Sequence, residues 1–130
     1  MICIDSDCII DFLKGKKEAV DIIEKNKDEI LTTEINLFEI YFGIFNKSDI
    51  NEKEKKLADE FFDSLNKLPF SNNCGKKSAE ILTSLIKRGK TIQQNDALIS
   101  AILIENKVGS IITRNLKHFS SMKELKAISY

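Results

Sequence analysis

The sequence has little proline and glycine, no tryptophan, and no apolar run long enough to span a membrane. It contains one proline and five glycines among 130 residues, while apolar residues make up 42%. This composition excludes collagen-like, low-complexity and intrinsically disordered chains. Because no apolar run approaches about 18 residues, we expect neither a membrane-spanning helix nor a signal peptide.

The sequence also has few cysteines and no formal net charge. The three cysteines are an odd number without CxxC spacing, which argues against a disulfide framework or a zinc site and fits a reducing cytoplasm. Basic and acidic residues both number 20, so the formal net charge is zero. A strongly basic nucleic-acid-binding surface is therefore not visible in the totals, although a local basic patch is compatible with them.

The length and the apolar pattern predict one domain, residues 1–130, built from alternating strands and helices. Strands are expected at 2–5, 30–32, 68–70, 110–113 and 127–129. Helices are expected at 6–13, over a second segment that includes residues 19–23, and at 34–45, 51–66, 71–88 and 95–106. Ser6 and Asn95 are the predicted N-caps, and Gly15 and Gly89 the predicted stops. This alternation is typical of a three-layer α/β/α sandwich with a mostly parallel sheet of about five strands.

Two helices carry more large apolar residues than one small core needs. The helix at 34–45 is apolar on most sides, which indicates burial or an interface. In the helix at 51–66, the expected inner face includes Leu57 and Phe62. The surplus aromatic residues favour either a homodimer seam or a groove for a partner segment.

Polar residues follow two of the predicted strands, where ligands bind in parallel sheets. Asp5 ends the first strand, and Thr113, Arg114 and Asn115 follow the strand that begins at Ser110. Asp5 has an alternative explanation as a helix cap, although Ser6 or Asp7 could also serve as the cap. Arg114 suits bidentate phosphate contact, or is an unpartnered surface residue.

Two further carboxylates stand in unusual positions. Glu39 lies in the apolar helix, where an ionised carboxylate is costly unless paired, solvent-facing or bound to a metal. Asp96 begins another helix, where the helix dipole alone can explain it. If Asp5, Glu39 and Asp96 converged, their repulsion would require a compensating cation such as Mg²⁺ or Mn²⁺. Their spacing in the sequence does not establish that they converge.

Four segments in a fixed order resemble the PIN-domain family and, within it, the VapC-type toxins of toxin–antitoxin pairs. They are MICIDSDCIIDFLKG, TTEINLFEIYFG, NDALISAILIENK and IITRNLKHF. The resemblance implies an α/β/α sandwich and a Mg²⁺- or Mn²⁺-dependent endoribonuclease. The family's acidic residues fall on Asp5, Glu39 and Asp96, and its fourth, often acidic position falls on Asn115. Asparagine there removes one charge, which favours one well-occupied ion over two.

The resemblance and the positions together imply a role for each candidate residue. Asp5 and Asp96 are expected to bind the metal directly, while Glu39 holds a metal-bound water or deprotonates the attacking one. Asn115 is expected to position a ligating water or a substrate phosphate. The expected substrate contacts come from three further residues: Ser6, Thr113 and Arg114.

The expected partners are an RNA substrate such as tRNA or rRNA, a small VapB-type antitoxin and a second copy of the chain. Two alternatives stay open: a PIN-domain nuclease of RNA processing or DNA repair, and an RNA-binding scaffold with a decayed site. The only histidine, His118, is expected to be structural or on the surface, since a metal mechanism needs no histidine.

Overall fold

Five short parallel strands form one sheet in the computed structural model, which describes residues 1–130. The strands are β1 (Ile2–Ile4), β2 (Ile30–Thr33), β3 (Lys67–Leu68), β4 (Ser110–Ile112) and β5 (Lys126–Ile128). Their order in the sheet is β3-β2-β1-β4-β5, and every neighbouring pair is parallel. The predicted fold class is confirmed.

Seven helices connect and cover these strands. They are α1 (Ser6–Leu13), α2 (Lys17–Lys25), α3 (Glu34–Phe45), α4 (Glu52–Asp63), α5 (Cys74–Lys87), α6 (Gln94–Glu105) and α7 (Leu116–Phe119). None of the seven combines the length and the apolar character that crossing a membrane requires. The four-residue α7 was not predicted, because one turn is too short to show a helical period.

Two apolar cores lie on opposite faces of the sheet. Successive strand residues point to opposite faces, and accordingly Ile4 and Ile112 join one core while Cys3 and Ile111 join the other. The first core includes buried residues of α1 to α4, and the second includes buried residues of α5, α6 and α7. The central strands β1 and β4 are therefore covered on both sides, as a parallel sheet requires.

Both predicted N-caps are wrong. Asp5 caps α1, since its Oδ1 accepts the Ser6 amide at 2.9 Å and its backbone is extended. The cap of α6 is Gln93, which places Asn95 inside the first turn. Gly15 follows the end of α1 with a φ of +75°, a left-handed conformation that glycine adopts without strain, as predicted.

Other element boundaries differ from the predicted ones for local reasons. Helix α5 begins at Cys74 rather than at 71, because Asn72 and Asn73 have positive φ angles. Helix α4 ends at Asp63, and Leu57, expected on its inner face, is 41% exposed. Strand β3 lies at the sheet edge as predicted, but it ends at Leu68, directly before Pro69.

Candidate active site

The candidate site lies at the carboxyl ends of the central strands. Strand β1 leads directly into Asp5 and β4 into Thr113, and β1 and β4 are neighbours in the sheet. The other neighbour of β1 is β2, which ends at Thr33 and continues into α3. Ligands bind in this location in open parallel sheets.

The carboxylate of Asp5 is buried and held by three donors. Oδ1 accepts from the Ser6 amide at 2.9 Å and from Asn36 Nδ2 at 3.0 Å, and Oδ2 accepts from Thr113 Oγ1 at 2.7 Å. Burial raises the pKa of Asp5 to about 7; the hydrogen bond from Thr113 opposes the rise and the charges of Asp7 and Asp96 add to it. This group is thus orientated for binding while lacking a positively charged partner.

Asn36 is a site residue that sequence reasoning missed. Thr33 caps α3 by accepting the Asn36 amide at 3.2 Å, and its hydroxyl donates to Asn36 Oδ1 at 2.7 Å. The Asn36 NH₂ group then donates to Asp5 Oδ1 and to Ser6 Oγ, each at 3.0 Å. The sequence signal was a polar residue in a mostly apolar helix, three residues after a threonine that could cap it.

Glu39 is half-buried and joins three helices. Its Oε1 accepts from Ser6 Oγ at 2.7 Å, and its Oε2 accepts from Asn95 Nδ2 at 3.4 Å. No lysine or arginine forms an ion pair with it. The sequence left three explanations for Glu39, and the salt bridge is therefore excluded.

Asp96 is buried beside His118. Asp96 Oδ2 lies 2.6 Å from His118 Nδ1, an ion pair when the imidazole is protonated, and neither atom has another partner. Burial raises the pKa of Asp96, His118 opposes that rise, and the charges of Glu39 and Asp7 add to it. His118, which we expected to be structural or on the surface, thus contacts a candidate metal ligand.

The residues after β4 differ in their surroundings. Thr113 is fully buried, and its oxygen accepts the Asn115 amide at 3.0 Å while its hydroxyl donates to Asp5. The side chain of Asn115 is exposed and does not cap α7. Arg114 has partners after all, since its Nη1 lies 3.4 Å from Asp11 Oδ2.

Asp7 is a second residue that sequence reasoning did not include in the site. Its Oδ2 accepts the Arg114 amide at 3.0 Å, and its Oδ1 is buried without any partner. The sequence signal was its place two residues after Asp5, where it was considered only as a helix cap.

Comparisons with known proteins identify the family of this chain. The family model that describes the PIN domain matches residues 2–125. The chain belongs to the PIN domain family. A curated relative, Ribonuclease VapC2 from Rickettsia felis, is 29% identical over 106 residues, which cover 82% of this chain and 77% of that protein.

Solved structures match this PIN domain along its whole length. In the crystal structure of VapBC2 from Rickettsia felis bound to a DNA fragment from their promoter, one chain matches with a TM-score of 0.88 and 23% identity. That match covers 100% of this chain and 99% of the other. A chain of DNA-bound VapBC from Salmonella typhimurium matches with a TM-score of 0.85 and 18% identity, over 98% and 96%. The resemblance to the family and its VapC-type members is confirmed.

A divalent cation, implied by the family resemblance, fits the donor chemistry of this site. Asp5, Asp7, Glu39 and Asp96 offer only oxygen ligands, which Mg²⁺ and Mn²⁺ prefer. The buried oxygen Asp7 Oδ1 lacks a hydrogen-bond donor, and a nearby cation would offset the cost of burying it. No three His, Cys, Asp or Glu side chains are grouped closely enough to hold a metal by themselves. Mg²⁺ keeps several waters and binds through one or two carboxylates, so the fit concerns the donor chemistry of Asp5 and Asp96 rather than a complete protein cage.

Proposed function

We propose that this PIN domain is a Mg²⁺- or Mn²⁺-dependent endoribonuclease, the VapC-type toxin of a toxin–antitoxin pair. The observation that carries the proposal is that Asp5 and Asp96, two carboxylates that the family resemblance places at its metal site, are buried without a lysine or arginine partner. Family membership and the relative named Ribonuclease VapC2 support hydrolysis of RNA. The substrate class that we propose is structured RNA, such as tRNA or rRNA.

In this proposal Asp5 and Asp96 hold the cation at the carboxyl ends of the strands. When bound, the cation supplies an activated water and stabilises negative charge on the phosphate. Thr113, Asn36 and the Ser6 amide fix the Asp5 carboxylate before any ligand arrives. This arrangement lowers the cost of organising the site, because the donors are already in place.

Glu39 is the group that we assign to the proton of the attacking water. Its Oε1 is occupied by the short contact to Ser6, whereas its Oε2 has only the 3.4 Å contact to Asn95. Oε2 is therefore the oxygen that is free to accept a proton. Ser6 orients Glu39 in this assignment, in addition to any contact with the substrate.

The expected substrate contacts lie on the rim formed by the loop after β4. Arg114 and Asn115 are exposed there, which supports contact with phosphates of the RNA. Thr113 is buried, so its support for the reaction comes through the Asp5 carboxylate that it binds.

The proposed macromolecular partners are a VapB-type antitoxin and a second copy of the chain. Structures of VapBC complexes from several bacteria match this fold, which supports an antitoxin partner. Phe38, Phe42 and Phe45 on α3 are each more than half exposed, which supports an interface on that helix.

The experiment is a cleavage assay on tRNA and rRNA with Mg²⁺ or Mn²⁺, repeated with EDTA. We expect the wild type to cleave RNA only with the cation. Asp5→Asn and Asp96→Asn should each abolish cleavage, because each replaces a charged ligand with a neutral side chain of the same size. The matched control is Asp21→Asn, since Asp21 is an exposed carboxylate paired with Lys17 on α2. Its cleavage should equal that of the wild type.

Three results would contradict the proposal. Cleavage that continues in EDTA would eliminate the cation from the reaction. Full activity in Asp96→Asn would remove that residue from the site. An inactive wild type that still binds Mn²⁺ would favour the scaffold alternative.

A further inference from the structure

We propose that Lys16 and Arg114, held side by side by the buried carboxylate of Asp11, bind a backbone phosphate of the RNA next to the one that is cleaved. This inference rests on the proposed nuclease function and adds a substrate subsite to it. Lys16 is a new substrate contact, and Asp11 is the positioning residue of the subsite. Lys16 is the cap residue of α2, Asp11 lies on α1, and Arg114 lies in the loop after β4.

One buried carboxylate joins the two cations. Asp11 Oδ1 lies 3.1 Å from Lys16 Nζ, and Asp11 Oδ2 lies 3.4 Å from Arg114 Nη1. The side chain of Asp11 is only 4% exposed, whereas those of Lys16 and Arg114 are 51% and 53% exposed. Positive charge therefore faces the solvent, while the negative charge that balances it lies beneath the surface.

The other lysine ion pairs of the chain differ, because their carboxylates are exposed. Lys17 pairs with Asp21, whose side chain is 61% exposed, and the carboxylates of the two remaining lysine pairs are 39% and 43% exposed. An exposed carboxylate repels a phosphate while its lysine attracts it, so such a pair offers an anion little net attraction. The burial of Asp11 distinguishes this site from an ordinary charged surface.

Asp11 is also held by a group other than the two cations. Tyr130 lies two residues after β5 and donates its hydroxyl to Asp11 Oδ2 at 2.7 Å. Burial acts to raise the pKa of Asp11, but the hydrogen bond from Tyr130 and the contacts with Lys16 and Arg114 outweigh it and hold the pKa below its usual value. The carboxylate is therefore ionised at neutral pH and keeps both cations in place.

The subsite lies beside the candidate active site. Arg114 follows Thr113, whose hydroxyl donates to Asp5 at 2.7 Å, and the Arg114 amide donates to Asp7 Oδ2 at 3.0 Å. Asp11 follows Asp5 by six residues, which corresponds to about 9 Å along the axis of α1. This separation fits a neighbouring phosphate of the RNA rather than the one that is cleaved.

A lysine and an arginine together suit a phosphate. The guanidinium of Arg114 can donate two parallel hydrogen bonds to it, and the Lys16 ammonium adds a point charge. Asp11 already restricts both side chains, so less conformational freedom is lost when RNA binds. Asp7 leaves donors of Arg114 available, because its Oδ2 lies 4.0 Å from Arg114 Nε, beyond hydrogen-bond distance.

The test measures binding of the full chain to a labelled single-stranded RNA by fluorescence anisotropy, in EDTA so that no metal-dependent cleavage occurs. The double variant Lys16→Gln with Arg114→Gln should reduce the slope of log affinity against log salt by about 0.7, the value for one phosphate contact. This slope corresponds to a loss of about fivefold in affinity at about 0.1 M salt. Lys17→Gln is the matched control, because it makes the same charge change at the neighbouring residue, whose side chain is 83% exposed. Its affinity should equal that of the wild type.

The single variants show whether the two cations share one phosphate. Each of Lys16→Gln and Arg114→Gln should already show most of the loss of the double variant, because one cation alone holds the phosphate poorly. The loss in the double variant should therefore be smaller than the product of the single losses. Losses that multiply would place the cations on separate phosphates and overturn the shared subsite. So would equal affinity in Lys16→Gln and the wild type.

Asp11→Asn separates positioning from simple electrostatics. Removal of a negative charge by itself should strengthen binding to RNA, whereas a positioning role predicts weaker binding because both cations are released. We expect Asp11→Asn to bind RNA more weakly than the wild type, and Asp21→Asn, which releases Lys17, to bind no more weakly. Tighter binding by a folded Asp11→Asn would overturn the positioning role. If circular dichroism shows that Asp11→Asn does not fold, the comparison of single and double variants at the half-exposed cations decides.

The proposed nuclease function can fail separately. RNA binding that depends on Lys16 and Arg114, in a protein that cleaves no RNA, would support the subsite and contradict the nuclease. Cleavage of RNA with unchanged affinity in Lys16→Gln would support the nuclease and overturn the subsite. A wild type that binds no RNA also overturns the subsite.

Discussion

Thr113 donates its hydroxyl to the carboxylate of Asp5 at 2.7 Å, although 108 residues separate the two in the sequence. The contact exists because each residue follows one of two paired parallel strands, β1 and β4. The same oxygen accepts the Asn115 amide, so the threonine joins the buried carboxylate to the loop after β4. This one side chain therefore links the carboxyl ends of β1 and β4 to the geometry of the site.

Removing the Thr113 hydroxyl should destabilise the protein and weaken the site. Thr113→Val keeps the shape of the side chain but leaves Asp5 Oδ2 and the Asn115 amide without this partner. We expect the free energy of unfolding to fall by about 1–3 kcal/mol. Urea denaturation followed by circular dichroism measures the change, and cleavage of RNA should fall as well.

Thr83→Val is the control for that substitution. Thr83 is exposed on α5, and its hydroxyl donates only to the carbonyls of Ala79 and Glu80 in the same helix. We expect little change in its unfolding free energy. Equal losses of unfolding free energy in Thr113→Val and Thr83→Val would show that the contact with Asp5 adds no stability.

The stability of the metal-free protein should fall as pH rises toward neutrality. Burial raises the pKa of Asp5 from 3.8 to about 7, so between these values the folded chain holds a proton that the unfolded chain releases. The unfolding free energy therefore decreases with rising pH across this window, the reverse of the usual behaviour of a paired aspartate. Urea denaturation in EDTA at several pH values from 5 to 7.5 measures the slope.

Asp5→Asn identifies the group responsible for that slope. The variant cannot titrate at this position, so its unfolding free energy should change less with pH than that of the wild type. Adding Mn²⁺ to the wild type should stabilise it most at neutral pH, because the cation binds the ionised carboxylate. Identical slopes in the variant and the wild type would show that Asp5 has the same pKa in the folded and the unfolded chain, which contradicts the prediction.

Loss of the Tyr130 hydroxyl should cost more stability than loss of the Tyr41 hydroxyl. Tyr130 donates to Asp11 Oδ2 at 2.7 Å, and Asp11 is only 3% exposed. Tyr41 donates to Asp59, whose side chain is 43% exposed and can turn to water instead. We expect about 1–2 kcal/mol for Tyr130→Phe and a smaller loss for Tyr41→Phe in the same denaturation assay. The reverse order would contradict the importance of burial at Asp11.

Sequence patterns gave the elements of the fold more reliably than their ends. The apolar pattern predicted α3 at its observed bounds, because twelve mostly apolar residues are too long a run for a strand. Caps were misassigned at Ser6 and Asn95, since several polar residues in a row can each fill that role. The start of α5 depends on positive φ angles at Asn72 and Asn73, which composition does not specify.

The sequence by itself determined the alternation of strands and helices, the family, and the candidate carboxylates Asp5, Glu39 and Asp96. These features depend on periodicity and on motifs that are local in the chain. Only the tertiary structure decided which polar groups surround those carboxylates: Asn36, Thr113, His118 and Asp7. Their contacts join residues that are distant in sequence, and they arise from strand pairing and helix packing rather than from any local pattern.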